Sequence, residues 1–203
     1  KLALIEVNGF KVGVLSRIHE NSFENIKDHI ATHDNPGAAP LNVKEVVEIS
    51  RSAKLEYGLD VVVLAVHWGI QDIHNHTTEI HEIAQAIIEK SEVDIILGSH
   101  SHCIQGIDPI GNKVICYGQG NFYFYPQVLD DGILYDETQD TNRSSLVTKI
   151  KFNNDGLSVQ AKVVKQDRRN VVVFIDRYKE EQILKKVFGV WKNDRIISIY
   201  FEY

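Results

Sequence analysis

The chain has 203 residues, of which 43% are hydrophobic and 25% are charged, and its formal net charge is −6 at pH 7. This length suits one sizeable α/β domain, and the apolar fraction excludes a chain too polar to fold around a core. The acidic excess gives no sign of the basic surface that binds nucleic acid or anionic lipid, so no nucleic-acid partner is expected.

The two cysteines, Cys103 and Cys116, fit neither a paired metal-binding knuckle nor a disulfide framework. They are interpreted as buried thiols, with one disulfide in an exported protein as the alternative. The chain begins at Lys1 and contains no methionine, so we expect the gene product to start upstream. Neither a signal peptide nor an apolar run long enough to span a bilayer is found, and the compartment stays open.

In chain order, the first predicted element is a hairpin. Residues 2–16 read as two alternating strands joined by Asn8-Gly9, a pair suited to a tight turn. Residues 19–40 are polar and rich in turn formers, which predicts a lid or surface excursion. Apolar spacing then predicts a helix over 43–57, and Gly58 is well placed to end it.

The middle of the chain alternates strands and helices. DVVVLAV at 60–66 is typical of a strand covered on both faces, and an apolar stripe over 80–88 predicts an amphipathic helix. VDIILG at 93–98 and KVICYG at 113–118 predict two further buried strands. The link at 103–112 carries no helix, so the third strand is expected to join antiparallel or in another sheet.

The last part of the chain predicts a loop, a second hairpin and a final helix. Residues 126–143 are acidic and aromatic without a clear period. Two apolar stretches flank NNDG, which predicts a hairpin turning at Asp155-Gly156. NVVVFID adds a possible strand, and 177–191 has helical spacing.

Each of the three buried strands of the middle region is followed by an unusual loop: HWG, GSHSH and GQGNF. In open α/β sheets ligands bind beyond the carboxyl ends of the strands, so we expect these loops to converge. His67, His100 and His102 would then offer three neutral imidazoles, which suit zinc, manganese, iron or nickel. The alternative is that these histidines are structural, since imidazole is often partly buried.

Other polar residues near these loops are weaker candidates. A pair of divalent ions needs bridging carboxylate or amide oxygens, and no set of residues that would supply them is evident near these loops. Asp72 is close to the first loop in sequence but is read as a solvated loop residue. His74 and His76 are expected at the loop surface, and His81 is expected to be exposed on its helix.

Taken together, these motifs resemble a known family. NGFKVGVLS, DVVVLAVHWG, VDIILGSHSHCIQGIDPIGNKVICYGQGNF and RSSLVTKIKF are similar to the carboxyl-terminal part of bacterial capsule-synthesis proteins of the CapA (PGA_cap) type, roughly over 4–152. The resemblance implies an α/β fold of the calcineurin-like metallophosphoesterase kind, a layered α/β/β/α sandwich incomplete at its amino-terminal side. It also implies one partial domain over 1–203, with 153–203 as a hairpin and helix extension.

The resemblance further implies that His67, His100 and His102 ligate one or two divalent ions, namely manganese, iron or zinc. The residues implied to line the site are Trp68, Gly69, Gln71 and Asn121. Gln71 stands where the family often has glutamate, and the upstream aspartate and Asn-Asn-His motifs do not occur in these 203 residues. Catalytic residues are therefore not assigned.

The implied function is a metal-dependent, hydrolase-like role in capsule or poly-γ-glutamate biosynthesis at the cell envelope. The expected partners are an anionic polymer or phosphorylated substrate and the membrane-bound capsule synthesis machinery. The expected location is extracytoplasmic and membrane-associated. The alternative is a non-catalytic polyanion-binding or assembly component that uses the same fold.

Overall fold

The computed structural model describes residues 2–20, 22, 26–124, 127–128, 134–135, 142–153 and 156–187. Its helices and strands, in chain order, are β1 (Leu2–Val7), β2 (Phe10–Ile18), α1 (Val43–Tyr57), β3 (Val61–His67), α2 (Thr78–Lys90), β4 (Ile95–Ser99), β5 (Ile107–Ile110), β6 (Lys113–Cys116), β7 (Gln127–Val128), β8 (Leu134–Tyr135), β9 (Ser144–Asn153), β10 (Gly156–Gln166), β11 (Val172–Phe174) and α3 (Arg177–Val187).

The first hairpin forms as the sequence predicts. Val7 pairs with Phe10, which leaves Asn8 and Gly9 as a two-residue turn between β1 and β2. Both turn residues have positive φ, 52° and 81°, as a type I′ turn requires. Asparagine and glycine adopt that conformation at little cost, so this dipeptide fixes the register of the hairpin.

The main sheet has six strands in the order β1-β2-β3-β4-β6-β5. Strands β2, β3, β4 and β6 are parallel to one another, whereas β1 and β5 pair antiparallel at the two edges. The strand over 113–116 therefore lies in the main sheet and parallel to β4, which corrects the expectation that it joins antiparallel or elsewhere. Strand β5, which the sequence analysis missed, carries the chain back along the edge, so no crossover helix is needed.

Helices α1 and α2 cover one face of this sheet, and both begin and end on capping residues. The side chain of Asn42 accepts a hydrogen bond from the Glu45 amide before α1, and Thr77 does the same for Ile80 before α2. Gly58 ends α1 with a φ of 62°, as predicted. The helices pack on the sheet through fully buried side chains that include Val46, Leu64, Ile80, Ile87 and Ile96.

A second sheet, in the order β11-β10-β9, covers the other face. Together with α3 it builds a second core, which includes Val63, Val114, Val163 and Leu184. The predicted hairpin is confirmed, but its predicted turn at Asp155-Gly156 is wrong, because Gly156 already lies in β10 and pairs with Asn153. Residues 154 and 155, between these paired residues, lie outside the described part of the chain. Helices, main sheet and second sheet are thus layered in an α/β fold, which confirms the predicted class.

Two predicted segments are described only in part. Within 126–143, the short strands β7 and β8 pair antiparallel, and residues 142 and 143 are described as a turn; the rest lies outside the described residues. The predicted final helix is confirmed over α3, while 188–191 lie outside the described residues. No helix in the described part of the chain is both long and apolar enough to cross a bilayer.

The contact between α3 and β10 includes one buried carboxylate. Glu180, 7% exposed, accepts a hydrogen bond from the Val163 amide at 2.9 Å. We expect Glu180→Ala to lower the free energy of unfolding by about 1–3 kcal/mol, because it leaves a buried amide without its acceptor. Urea denaturation measures the change. Glu181→Ala, which removes an exposed carboxylate from the same helix, is the control and should change stability by less than about 0.5 kcal/mol.

Candidate functional site

The histidines of the first two strand-end loops meet at one edge of the main sheet. His67 is the last residue of β3 and pairs with Ser99, the last residue of β4, so the following loops start side by side. The ring centroids of His67 and His100 lie 4.4 Å apart, and those of His100 and His102 lie 6.5 Å apart. The structure thus brings together the three histidines that the sequence singled out.

The backbone around these histidines is held in an unusual conformation. Asp72, His100 and His102 have φ values of 62°, 92° and 54°, in the left-handed region that few side chains favour. The Asp72 amide donates to the Ser101 carbonyl at 2.9 Å, which ties the first loop to the second. Backbone strain of this kind concentrates at functional sites, where the surrounding contacts hold it in place.

The electrostatic environment keeps the central imidazoles neutral. Burial, together with charge repulsion from the neighbouring His100 and His102, lowers the pKa of His67 to about 4. Burial also lowers the pKa of His100, although hydrogen bonding at Ser22 and the charge of Asp72 act in the opposite direction. A neutral imidazole keeps a lone pair on one nitrogen, which is the form that binds a metal ion.

This shift in pKa predicts a pH dependence of stability. The folded pKa of His67, about 4, lies below its ordinary value of 6.5, so protons bind more readily to the unfolded chain. We therefore expect the free energy of unfolding to be at its full value above pH 6.5 and to fall as the pH drops from 6.5 towards 4. Urea titrations across this range measure it, and His67→Gln should reduce the slope; burial also lowers the pKa of His76 and of His100, which retain a smaller slope. A wild-type curve with no slope in this interval would contradict the prediction.

A chain of hydrogen bonds supports His102 from the third loop. His102 Nδ1 and Asn121 Oδ1 lie 2.8 Å apart, and Asn121 Nδ2 donates to the Asn142 carbonyl at 2.9 Å. The Asn142 side chain in turn donates to Asp72 and accepts from the Cys103 thiol. Asn142 is 2% exposed and was missed, because it lies in a stretch without periodicity and far from the loops in sequence.

The remaining predicted site residues have distinct surroundings. Trp68 is buried beneath the loops, and its indole nitrogen donates to the Tyr117 carbonyl at 2.9 Å. Gly69 has a φ of 86°, which lets the chain turn directly after the tryptophan. Gln71 is exposed, and its side-chain amide donates to Asp72 at 3.4 Å. Trp68 and Gly69 shape the first loop, and Gln71 lies at its surface.

His19 is a further histidine at the same edge that the sequence analysis missed. It follows the last residue of β2, and its amide donates to the His67 carbonyl at 2.8 Å. The side chain is mostly buried, with Nε2 3.8 Å from a carboxylate oxygen of Glu79. The signal that singled out His67, a histidine directly after a strand, did not apply because the predicted strand ended at residue 16, whereas β2 extends to Ile18.

Two histidines expected at the surface are instead partly buried around Tyr117. The His76 ring stacks on the Tyr117 ring at 3.7 Å, and His81 Nδ1 lies 2.8 Å from the Tyr117 hydroxyl. That hydroxyl also donates to Asp108 at 3.1 Å. The expectations for His76 and His81 were wrong, because Tyr117, the residue after β6, stacks on the first ring and bonds to the second. His74 is exposed as expected.

Both cysteines are buried free thiols in the structure, as the sequence analysis proposed. Burial raises the pKa of Cys116 to about 12, so this thiol stays protonated at neutral pH. Neither cysteine is therefore placed as a reactive group of the site.

The nitrogen donors of the three histidines suit a divalent ion, although they do not form a complete ligand set. The Nε2 atom of His100 is buried, His67 is neutral, and Asn121 orients His102. Within the described ranges, no group of three or more His, Cys, Asp or Glu side chains has the arrangement of a complete metal site. The three histidines therefore fit a metal only as part of a larger ligand set.

Comparison with known proteins identifies the family of the chain. The model of the family described as bacterial capsule synthesis protein PGA_cap matches residues 1–126, more than half of the chain. The chain belongs to the PGA_cap family. The matched region contains all three strand-end loops, and the family predicted from the motifs is confirmed.

Two curated relatives are similar to this chain in sequence. The capsule biosynthesis protein CapA of Bacillus anthracis is 31% identical over 120 residues, which cover 58% of this chain and 28% of that protein. The PGA biosynthesis protein CapA of Bacillus subtilis (strain 168) is 27% identical over 124 residues, which cover 61% and 31%. The chain thus spans less than a third of the length of either relative.

Proposed function

We propose that this PGA_cap chain acts in capsule or poly-γ-glutamate biosynthesis and carries the histidine-bearing part of a metal-dependent hydrolase site. Family membership and the names of the two CapA relatives support the biological process. The proposal of a metal-dependent hydrolase site is supported by one observation: three histidines lie together at the carboxyl ends of two parallel strands. Ligand sites of open α/β sheets lie at this edge.

The roles of the residues follow from their surroundings. His67, His100 and His102 would hold one or two ions of manganese, iron or zinc, and a bound ion supplies Lewis acidity and a water of lowered pKa. The desolvated environment of His67 keeps its lone pair available at neutral pH. The hydrogen bonds from Asp72 to Ser101 and from Asn121 to Asn142 fix the positions of the loops that carry these groups.

We further propose an anionic polymer or a phosphorylated intermediate as the substrate. Both classes place negative charge next to the bond to be cleaved, which a divalent ion can offset. A role at the cell envelope, outside the cytoplasmic membrane and beside membrane-bound capsule synthesis machinery, fits the process named for the family.

The test is hydrolysis by the full-length gene product. Phosphomonoesters, phosphodiesters and γ-glutamyl oligomers are offered with manganese, iron(II) or zinc, and product release is measured. We expect metal-dependent turnover in the wild type, at least 100-fold lower turnover in His102→Ala, and no change in His33→Ala, which removes an exposed histidine. Equal turnover in His102→Ala and wild type would contradict the proposal.

The second candidate function is that of a binding or assembly component, which binds a polyanion without hydrolysing it. The incomplete ligand set of the described residues and the amide of Gln71 at the loop surface favour it. It predicts saturable binding of poly-γ-glutamate that depends on metal, with no hydrolysis of any of the substrates above. Isothermal titration with a defined oligomer, run beside the turnover assay, separates the two candidates.

A further inference from the structure

The contact between His102 and Asn121 indicates which ring nitrogen of His102 carries the proton. A neutral imidazole carries its proton on either Nδ1 or Nε2, and the choice follows from the partner that each nitrogen faces. His102 Nδ1 lies 2.8 Å from a side-chain atom of Asn121, and that atom is either the amide oxygen or the amide nitrogen. The orientation of the Asn121 amide therefore determines the tautomer.

The orientation of the Asn121 side-chain amide is fixed by the contact that its second polar atom makes. The second side-chain atom of Asn121 lies 2.9 Å from the main-chain carbonyl oxygen of Asn142. A carbonyl oxygen can only accept, so the atom facing it must be the NH₂ group. The Asn121 oxygen then faces His102, and it requires a donor on Nδ1. A flipped amide would set two oxygens against each other in a region where Asn121 is only 9% exposed.

The Asn142 carbonyl is itself held in place. The Asn142 side chain bonds to Asp72 and to Cys103, two residues of the loops that follow β3 and β4. Asn142 is 2% exposed and Cys103 is fully buried, so the contact between these two residues is shielded from water, whereas Asp72 is exposed. The third loop and the start of β9 are thereby connected to both histidine loops.

We infer that Asn121 is a positioning residue, which holds His102 with its proton on Nδ1 and its lone pair on Nε2, and that Asn142 fixes Asn121 in the orientation this requires. Hydrogen bonds at the non-ligating nitrogen orient histidines in metal sites in the same way. The use of the Nε2 lone pair by a metal rests on the function proposed above, whereas the tautomer is a property of the metal-free protein.

The test is the histidine ring spectrum of the whole chain, freed of metal by chelation and labelled with ¹⁵N at histidine. Long-range ¹H–¹⁵N correlations at alkaline pH show which nitrogen of each neutral ring is protonated, and His102→Gln assigns the His102 signals. We expect the Nδ1-protonated tautomer in the wild type. In Asn121→Ala we expect a shift towards the Nε2-protonated form that free imidazole side chains prefer in water. Asn112→Ala, which removes an exposed asparagine from a turn, should match the wild type.

An Nε2-protonated His102 in the wild type would overturn the inference, and so would an unchanged tautomer in a folded Asn121→Ala. The wild-type spectrum decides the question alone if that variant does not fold. A titration with manganese or zinc then tests the consequence, with an expected 10- to 100-fold loss of affinity in Asn121→Ala. An Nδ1-protonated His102 in a protein that binds no metal would support the inference and count against the proposed hydrolase.

Discussion

We expect the wild type to retain a divalent metal through purification without chelators, and a protein that carries both His67→Ala and His102→Ala to lose it. The double change removes two nitrogen donors from the strand-end loops, and the remaining His100 supplies only one. A single imidazole binds first-row metals far too weakly to survive purification, so we expect the metal content to fall from about one ion or more per chain to near zero. Mass spectrometry of the full-length gene product gives the stoichiometry.

The matched control for the metal measurement removes two histidines elsewhere. His33 and His74 are both exposed loop residues, so the His33→Ala/His74→Ala protein should keep the wild-type metal content. Metal retained in the His67→Ala/His102→Ala protein would show that other residues bind it. A wild type that stays free of metal even after soaking would contradict the metal site and favour the alternative that these histidines are structural.

Gly98→Ala will lower the free energy of unfolding by about 3 kcal/mol and disturb the site at the same time. A Cβ atom at Gly98 would overlap the Tyr117 carbonyl oxygen and the Trp68 indole nitrogen, which are the two partners of a buried hydrogen bond. The clash involves main-chain and fully buried atoms, which cannot move aside cheaply. Gly98 and Tyr117 directly precede the loops of His100 and Asn121, so relief of the clash would shift both loops.

Urea denaturation of Gly98→Ala beside Gly106→Ala tests this prediction. A Cβ at Gly106 would lie 3.5 Å from its nearest neighbour, an ordinary contact, so this control should lose less than about 1 kcal/mol. If the two variants are equally stable, the space around Gly98 is larger than the structure shows. A stable Gly98→Ala with unchanged histidine ring spectra would also contradict the predicted shift of the loops.

The sequence predicts the elements of this fold better than their arrangement. Both covering helices and the central strand over 61–67 follow from periodicity, because each buries an apolar stripe or a continuous apolar run. The strand over 107–110 was missed because it has four residues and contains Pro109, which argues against a strand interior. That omission left the position of the next strand undetermined, since β5 provides the return path to it.

In the candidate site, too, the sequence predicts individual residues better than the contacts between them. His67, His100 and His102 were found because a histidine after a buried strand breaks the local apolar pattern. Asn142 has no such signal, since its role depends on a contact with Asp72, which lies 70 positions away in the chain. Contacts of this kind arise only when the two sheets pack together, so a single sequence carries no local trace of them.

The left-handed backbone at His100 and His102 has a consequence for any attempt to evolve this protein in the laboratory. At φ values of 92° and 54°, glycine or asparagine relaxes the chain more than histidine does. A library selected for thermal tolerance alone should therefore enrich glycine and asparagine at these two positions and discard the imidazoles. Selection for ligand binding should restore them, so the two pressures act in opposite directions on the same pair of codons.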